Sequence, residues 1–371
     1  MKVPFVDLQQ QYRSIKSEID PAILAVLDEA HFIMGPEVYA FEDEFSVFSG
    51  VEFTTSMGTG TDAPHIALRA MGIGAGDEVI TQSNTFIATL EAIIMAGAKP
   101  VLVDMTPDTY NMDPDLLEAA ITDKTKAIIP VHMYGQPCQM DEINAIAKAH
   151  HLFVLEDNAQ SVGAKYKGRP TGSLGDAAST SFYPGKNLGA YGDAGAVTTN
   201  NEEWTVRMRM MRDHGSSRKY HHDVWGTNSR LDGVQAAVLH VKMKYIDQWN
   251  QQRREAGAKY SEKLSGVGGL KLPTTHPDTD HIYHLYVVQT KDETERDALM
   301  KQLQDNDIGV AIHYPIPPHL QPGYTNLGYK LGDFPRAESY AKRIISLPIF
   351  PEITDEQIDH VVENIKNFYA K

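Results

Sequence analysis

The sequence predicts an α/β protein with a large domain on a mainly parallel sheet, followed by a smaller α+β domain. Strand-like apolar runs alternate with helical patterns from about residue 50 to 200, the mark of βαβ units with helices on both sheet faces. After about residue 230 that alternation gives way to long helices and isolated extended segments. The chain has 371 residues, enough for two such domains and a large core. The expected division is 1–245, an N-terminal segment with the large domain, and 246–371, the small domain.

The elements follow in order. An amphipathic helix is expected around Tyr12 to Leu27, packed on the small domain. Val51 to Met57 reads as extended and His65 to Met71 as helical. Asp77-Glu-Val-Ile-Thr81 is a strand, Phe86 to Ala96 a helix, and Lys99-Pro-Val-Leu-Val-Asp104 the next strand. A helix starts at Asp113-Pro114, with proline in its first turn. Lys126 to His132 is a strand, Met140 to His150 a helix, and Leu152-Phe-Val-Leu a buried parallel strand, since four apolar residues run together. Leu231 to Gln251 reads as one long helix, and residues 273–280 are turn-rich. Tyr283 to Gln289 alternates like an antiparallel strand. Glu293 to Asn306 is helical, Gly309 to Tyr314 extended, and Asp355 to Tyr369 a final helix. The chain shows no internal repeat and no low-complexity segment.

Charge and cysteine usage narrow the partners. With 34 basic and 49 acidic residues the net charge is −15, which disfavours a nucleic-acid or anionic-membrane partner. An anionic ligand would need a local site. Cys138 is the single cysteine, so no internal disulfide can form and a reducing compartment is expected. The N-terminus lacks a signal-peptide pattern, and no apolar run approaches the roughly 20 residues that span a bilayer. The expected location is the cytoplasm.

Three stretches carry chemistry. In Ser181-Phe-Tyr-Pro-Gly-Lys186-Asn-Leu-Gly-Ala a lysine sits among small residues that let the backbone approach a bulky group. Few charges surround it, and desolvation lowers an amine's pKa. A neutral amine can attack a carbonyl. The plain alternative is a glycine-rich surface loop with an incidental lysine. Upstream, the strand before Glu156-Asp157 places two carboxylates at its C-terminal end, where open α/β sheets bind ligands; an acid there could also merely cap the next helix. Lysine and carboxylate together match the needs of pyridoxal phosphate, an amine for its aldehyde and an acid for its pyridine nitrogen. Third, Gly58-Thr59-Gly60 opens a helix and offers free N–H groups to a phosphate, or else forms only an N-cap. It lacks the nucleotide P-loop ending and the dinucleotide glycine spacing. His214, His221, His222 and Asp223 lack the spacing of a zinc site, so no metal is expected. They read as a mobile polar loop near the mouth of the site, where Arg218 or Lys219 could meet a diphosphate.

With these stretches in place the chain resembles the DegT/DnrJ/EryC1/StrS family of sugar aminotransferases, which are fold type I pyridoxal phosphate enzymes. The resemblance spans nearly the whole chain. It runs through Val3-Pro-Phe-Val-Asp-Leu8, Gly58-Thr-Gly-Thr-Asp62, Ser83-Asn-Thr-Phe-Ile-Ala-Thr89 and Val131-His-Met-Tyr-Gly-Gln-Pro137. It continues through Glu156-Asp157-Asn-Ala-Gln160, Ser181 to Gly189, Asn228-Ser-Arg-Leu-Asp232 and Ile312-His-Tyr-Pro-Ile-Pro-Pro-His319. Pro64, Asn158, Thr227 and Gly233 depart from the family pattern without removing a catalytic group.

The resemblance implies Lys186 as the Schiff-base lysine and Asp157 as the partner of the pyridine nitrogen. Gln160 would meet the phenolic oxygen. Gly58, Thr59, Gly60 and Ser181 would hold the phosphate, and Phe86 would stack on the ring. Asn228 would reach the phosphate of the neighbouring subunit, giving a homodimer with shared sites. The implied reaction takes an amino group from L-glutamate, through pyridoxamine phosphate, to a keto sugar still linked to its nucleotide. The implied position is C3 of a dTDP-3-keto-6-deoxyhexose, with Tyr183, His313, Tyr314 and His319 lining the sugar site. Alternatives are a 4-keto sugar, a dehydratase of the same fold (whose members carry histidine for the lysine) and a non-catalytic sensor.

Overall fold

The computed structural model describes residues 1–370. Strands β1 (Phe53–Met57), β2 (Glu78–Gln82), β3 (Lys99–Val103), β4 (Thr125–Ile129), β5 (Phe153–Asp157), β6 (Ala177–Ser181) and β7 (Gly195–Thr199) form one sheet. Their spatial order is β1-β7-β6-β5-β4-β2-β3. Neighbours from β6 through β3 are parallel, while β7 runs antiparallel to both β1 and β6. The reversal follows from the connection. Residues 182–194 hold no helix, and a parallel return needs a crossover, usually helical. The lysine loop is that connection.

Successive strand residues point to opposite faces, and both faces are covered. Val79, Ile129, Leu155 and Val197 pack against helices Asp62–Ala70 and Glu202–Met211. Ile80, Ile128 and Val154 pack against helix Met140–Ala149. Every residue of β2 and β7 is therefore buried.

A second core gathers around an antiparallel pair, β8 (Tyr286–Gln289) and β9 (Ile344–Leu347). Helices Ile246–Leu264, Glu293–Asp305 and Asp355–Tyr369 cover it. The last of these starts with a capping box between Thr354 and Gln357. Alternation along Tyr283–Gln289 does not mean one wet face. Tyr286 and Val288 face this core, while Leu285 and Val287 pack with Val131, Met133 and Tyr134 of the first body.

Three expectations are corrected. The N-terminal helix (Leu8–Glu29) packs on helix Gly233–Met243, with Ile15 and Ile19 against Val238, Val241 and Trp249. From the first residues only Val3 enters the second core, bridging to Ile308. The stretch 231–251 is two helices, Gly233–Met243 and Ile246–Leu264. The first buries Ala236, Leu239 and Met243 against Phe41, Phe45 and Phe182. The second buries Ala256, Tyr260 and Leu264 in the other core, so a break at Lys244–Tyr245 re-aims the apolar face. After Asp113 there is only a 3-10 turn, Pro114–Leu116, and one α-turn, Leu117–Ala120.

One buried ion pair steers β1 into the site. Glu42 accepts from the Ser56 N–H at 2.9 Å, the Ser56 hydroxyl at 2.7 Å and Arg212 Nη1. Arg212 also donates to the Ser56 carbonyl at 2.8 Å. Both side chains are fully buried. Glu42→Ala would strand the guanidinium, and urea unfolding should show a loss of about 3–5 kcal/mol; a loss below about 1 kcal/mol would show that the pair contributes little.

Candidate active site

The parallel strands end along one edge, and there a cavity of about 500 Å³ opens. Its wall includes Thr59, Gly60, Phe86, Asp157, Gln160, Ser181, Tyr183, Lys186, His313 and Tyr314. These residues come from five separate stretches of sequence.

The corner expected to take phosphate lies where β1 and β6 end. Thr59 Oγ1 accepts the Asp62 N–H at 3.0 Å, which turns the chain into helix Asp62–Ala70. A Cβ on Gly60 would stand 2.4 Å from Ser181 Cβ and 2.5 Å from Ser181 Oγ. Only glycine fits this close approach. Gly58 lies just behind the wall, its N–H donating to Ser229 Oγ at 3.0 Å.

The lysine loop is held by two successive helices, Gly233–Met243 and Ile246–Leu264. Tyr191 N–H donates to Gln235 Oε1 at 2.8 Å, Lys242 Nζ donates to the Gly189 carbonyl at 2.7 Å, and Asn187 Nδ2 donates to Asn250 Oδ1 at 2.8 Å. Burial pushes Lys186 down to about 8, with the Asp157 charge offsetting part of the effect. The neutral amine is the attacking species. Its share at pH 7 is therefore about a tenth, against almost none for an ordinary lysine. Cofactor capture by the apoprotein should accelerate with pH and level off above about 8. A stopped-flow rate still climbing in proportion to hydroxide at the pH of an ordinary lysine would contradict this. Since the folded pKa lies below the unfolded one, the buried ammonium also destabilises the apo fold at neutral pH. That destabilisation fades as pH rises from about 8 towards 10.5.

Across the cavity, Asp157 accepts from Thr89 Oγ1 at 2.9 Å and from the Ala159 N–H at 3.1 Å. Burial nevertheless holds its carboxyl above the usual range, against the pull of those bonds and of Lys186. A carboxylate so placed suits a cationic partner, and a protonated pyridine nitrogen supplies one. Gln160 is oriented by the Tyr134 N–H, which donates to its Oε1 at 2.7 Å. Its Nε2 is left as a donor, 3.4 Å from the Tyr314 hydroxyl, as an anionic phenolic oxygen requires. The Phe86 ring is half exposed at the mouth, 5.2 Å from the Tyr314 ring. These residues fit pyridoxal phosphate at the ring nitrogen, the phenolic oxygen and the phosphate corner.

His313 is pinned by Ser346 Oγ at 2.8 Å and stacks on Phe5; burial pushes it down to about 4. Two expected residues stand apart. His319 is fully buried and bonded to Glu338 Oε1 at 2.9 Å, with its ring edge-on to Phe334. Glu338 also accepts the Gly332 and Phe334 N–H groups, so this cluster staples a loop and does not face the cavity. Asn228 is exposed, bridged to Asp213, and outside the wall. The histidine loop is a short exposed hairpin, Ser216–Arg218 with His221–His222. No group of three candidate ligands that could hold a metal occurs among the described residues. None of their helices is long and apolar enough to cross a membrane.

Sequence reasoning overlooked Thr89, His284 and Arg253, all in the wall. Thr89 carried a usable signal, because a helix starting at Phe86 brings position 89 to the same face. His284 and Arg253 arrive from the second core, and only tertiary structure brings them here. His284 Nδ1 meets Asn187 Oδ1 at 3.0 Å. Because Asn187 Nδ2 already donates elsewhere, the ring must donate from Nδ1, and burial holds it neutral.

The chain is similar to known proteins over almost its whole length. Residues 13–366 match the model of the DegT/DnrJ/EryC1/StrS aminotransferase family. A pleiotropic regulatory protein of Geobacillus stearothermophilus is 48% identical over 100% of this chain and 99% of its own length. The dTDP-3-amino-3,6-dideoxy-alpha-D-galactopyranose transaminase of Aneurinibacillus thermoaerophilus is 45% identical over 99% of each chain. The crystal structure of S. venezuelae DesV in complex with a ketimine intermediate superposes with a TM-score of 0.97 at 43% identity, covering 100% of this chain and 99% of that one. The chain thus belongs to the DegT/DnrJ/EryC1/StrS aminotransferase family and has its pyridoxal phosphate fold type I architecture.

Proposed function

We propose that this chain transfers an amino group from L-glutamate to C3 of a dTDP-3-keto-6-deoxyhexose. The coarser reading, amino transfer to a nucleotide-linked keto sugar, rests on family membership. The observation that carries the chemistry is the pairing in one cavity of a lysine pushed down to about 8 with a buried carboxylate. The C3 position draws support from the dTDP-3-amino sugar transaminase at 45% identity.

The cofactor is pyridoxal phosphate, whose ring takes up the electrons left when a substrate C–H bond breaks. With the cofactor bound, the Lys186 amine would take the proton from the substrate carbon and hand it back, as base and then acid. Asp157 keeps the pyridine nitrogen protonated. Gln160 would donate to the phenolic oxygen, Phe86 would cover the ring, and Thr59, Gly60 and Ser181 would hold the phosphate. Tyr183, His313 and Tyr314 border the sugar, whereas His319 drops out of that set. Asn228, exposed beyond the wall, serves the site of a second subunit, making the enzyme a homodimer; a fully active monomer in sedimentation would refute this. The buried, free Cys138 fits a reducing cytoplasm.

Absorbance of the reconstituted protein tests the whole reading. Glutamate should bleach the visible band of the lysine-bound cofactor, and dTDP-3-keto-6-deoxyglucose should restore it. Restoration only by a 4-keto sugar would move the reaction to C4. The name of the Geobacillus relative raises a regulatory reading, and a band that no amino acid bleaches would favour it.

A further inference from the structure

One cation in the cavity wall has no place in the chemistry above. Arg253 is 4% exposed and lines the cavity from the second-core side. Its Nη1 is fixed by three carbonyls, those of Tyr283 and His284 at 3.2 Å and Ile349 at 3.1 Å. Its Nε has no partner, and no bond occupies Nη2 among the described residues. Among the described residues no carboxylate forms an ion pair with it; Glu352 acts on it only at longer range. Burial accordingly pushes even this guanidinium down to about 10. A buried guanidinium normally has a carboxylate or phosphate on its free edge, because desolvating an unpaired charge is expensive.

The remaining wall makes this cation distinctive. Lys186 is the only other lysine or arginine there, and it is the nucleophile. The two wall histidines, His284 and His313, are both pushed down by burial and neutral at pH 7. The phosphate corner at Thr59, Gly60 and Ser181 offers uncharged donors. We infer that Arg253 seats a carboxylate of the amino-acid donor through Nη2, the guanidinium nitrogen left without a bond while Nη1 is held by carbonyls and Nε is sealed from the cavity. The diphosphate of the nucleotide sugar has the same charge but fits worse. A cavity of about 500 Å³ shared with the cofactor leaves room for the hexose, and the nucleotide must trail outwards, away from a residue so deeply buried. This inference rests on the amino-acid donor reading above.

The test compares wild-type and Arg253→Gln holoenzymes in each half-reaction, followed by absorbance. Glutamate is used with two truncated donors, 2-aminobutyrate (no side-chain carboxylate) and 4-aminobutyrate (no α-carboxylate). The half-saturating glutamate concentration should rise about 10–100-fold in the variant. The effect should vanish for whichever truncated donor lacks the carboxylate that Arg253 seats, and the keto sugar should restore the band as in the wild type. Equal losses with all donors and with the sugar would make Arg253 a structural residue, and no loss would equally overturn the inference. If wild-type enzyme itself ignores glutamate, the donor reading fails instead. Should the variant not fold, phenylglyoxal labelling of wild-type holoenzyme decides. Protection of Arg253 by 2-oxoglutarate, mapped by mass spectrometry, supports the seat; protection by dTDP alone, or none, overturns it.

Discussion

Lys186→Ala should abolish amino transfer, with turnover falling by at least about 10⁴-fold. The visible band of the lysine-bound cofactor should disappear with it. Both losses have one cause, because the same amine binds the aldehyde and moves the proton. The fold should survive. Lys186 makes no side-chain hydrogen bond among the described residues, and its burial already disfavours the charged form. Thermal unfolding of the apo variant should therefore match or exceed the wild type at pH 7. Added ethylamine should return part of the half-reaction with glutamate, since it replaces the proton carrier alone. Retained turnover without amine would sink the assignment. A residual visible band would mean that another amine holds the cofactor.

Asp157→Asn should be nearly as severe, in a different way. The amide can still accept from Thr89 or the Ala159 N–H, so the local geometry survives. What disappears is the charge opposite the pyridine nitrogen. Losing one partner of a buried ion pair costs about 3–5 kcal/mol, or about 10²–10⁴-fold at 1.36 kcal/mol per decade. The cofactor should also leave more readily on dialysis. Without cofactor the sign reverses. The folded carboxyl sits above its unfolded value, so its charge destabilises the apo fold at neutral pH, and the asparagine removes that burden. The gain in apo melting temperature should shrink as pH falls through the raised folded value towards the unfolded 3.8. A variant with a near-normal rate would mean that another acid protonates the ring.

Much of this was legible because the informative signals are local. Lys186, Asp157 and the Gly58–Gly60 turn each sit where a strand ends, and strand ends can be read from apolar runs. The first and last helices were placed within a few residues of their observed bounds for a similar reason, their strong 3.6-residue pattern. Other features were out of reach. The reversal of β7 depends on which strand its neighbour is, and no periodicity reports that. The break at Lys244–Tyr245 has neither glycine nor proline to announce it, because two cores pull the chain in different directions. His319, which the resemblance placed at the sugar site, is claimed instead by Glu338, 19 residues later, a pairing that no local pattern announces. Arg253 was passed over because its carbonyl partners lie 30, 31 and 96 residues away.

The anchors of the lysine loop fall on both sides of that break. Gln235 and Lys242 precede it and Asn250 follows it. The aim of the nucleophile is therefore tied to the angle of a joint between two helices. A residue inserted between 243 and 249 would turn Asn250 by about 100° relative to Gln235, while leaving the identity of every residue of the cavity wall unchanged. A catalyst could then be silenced by a single added residue that touches no ligand, and a comparison of the wall residues alone would show nothing amiss.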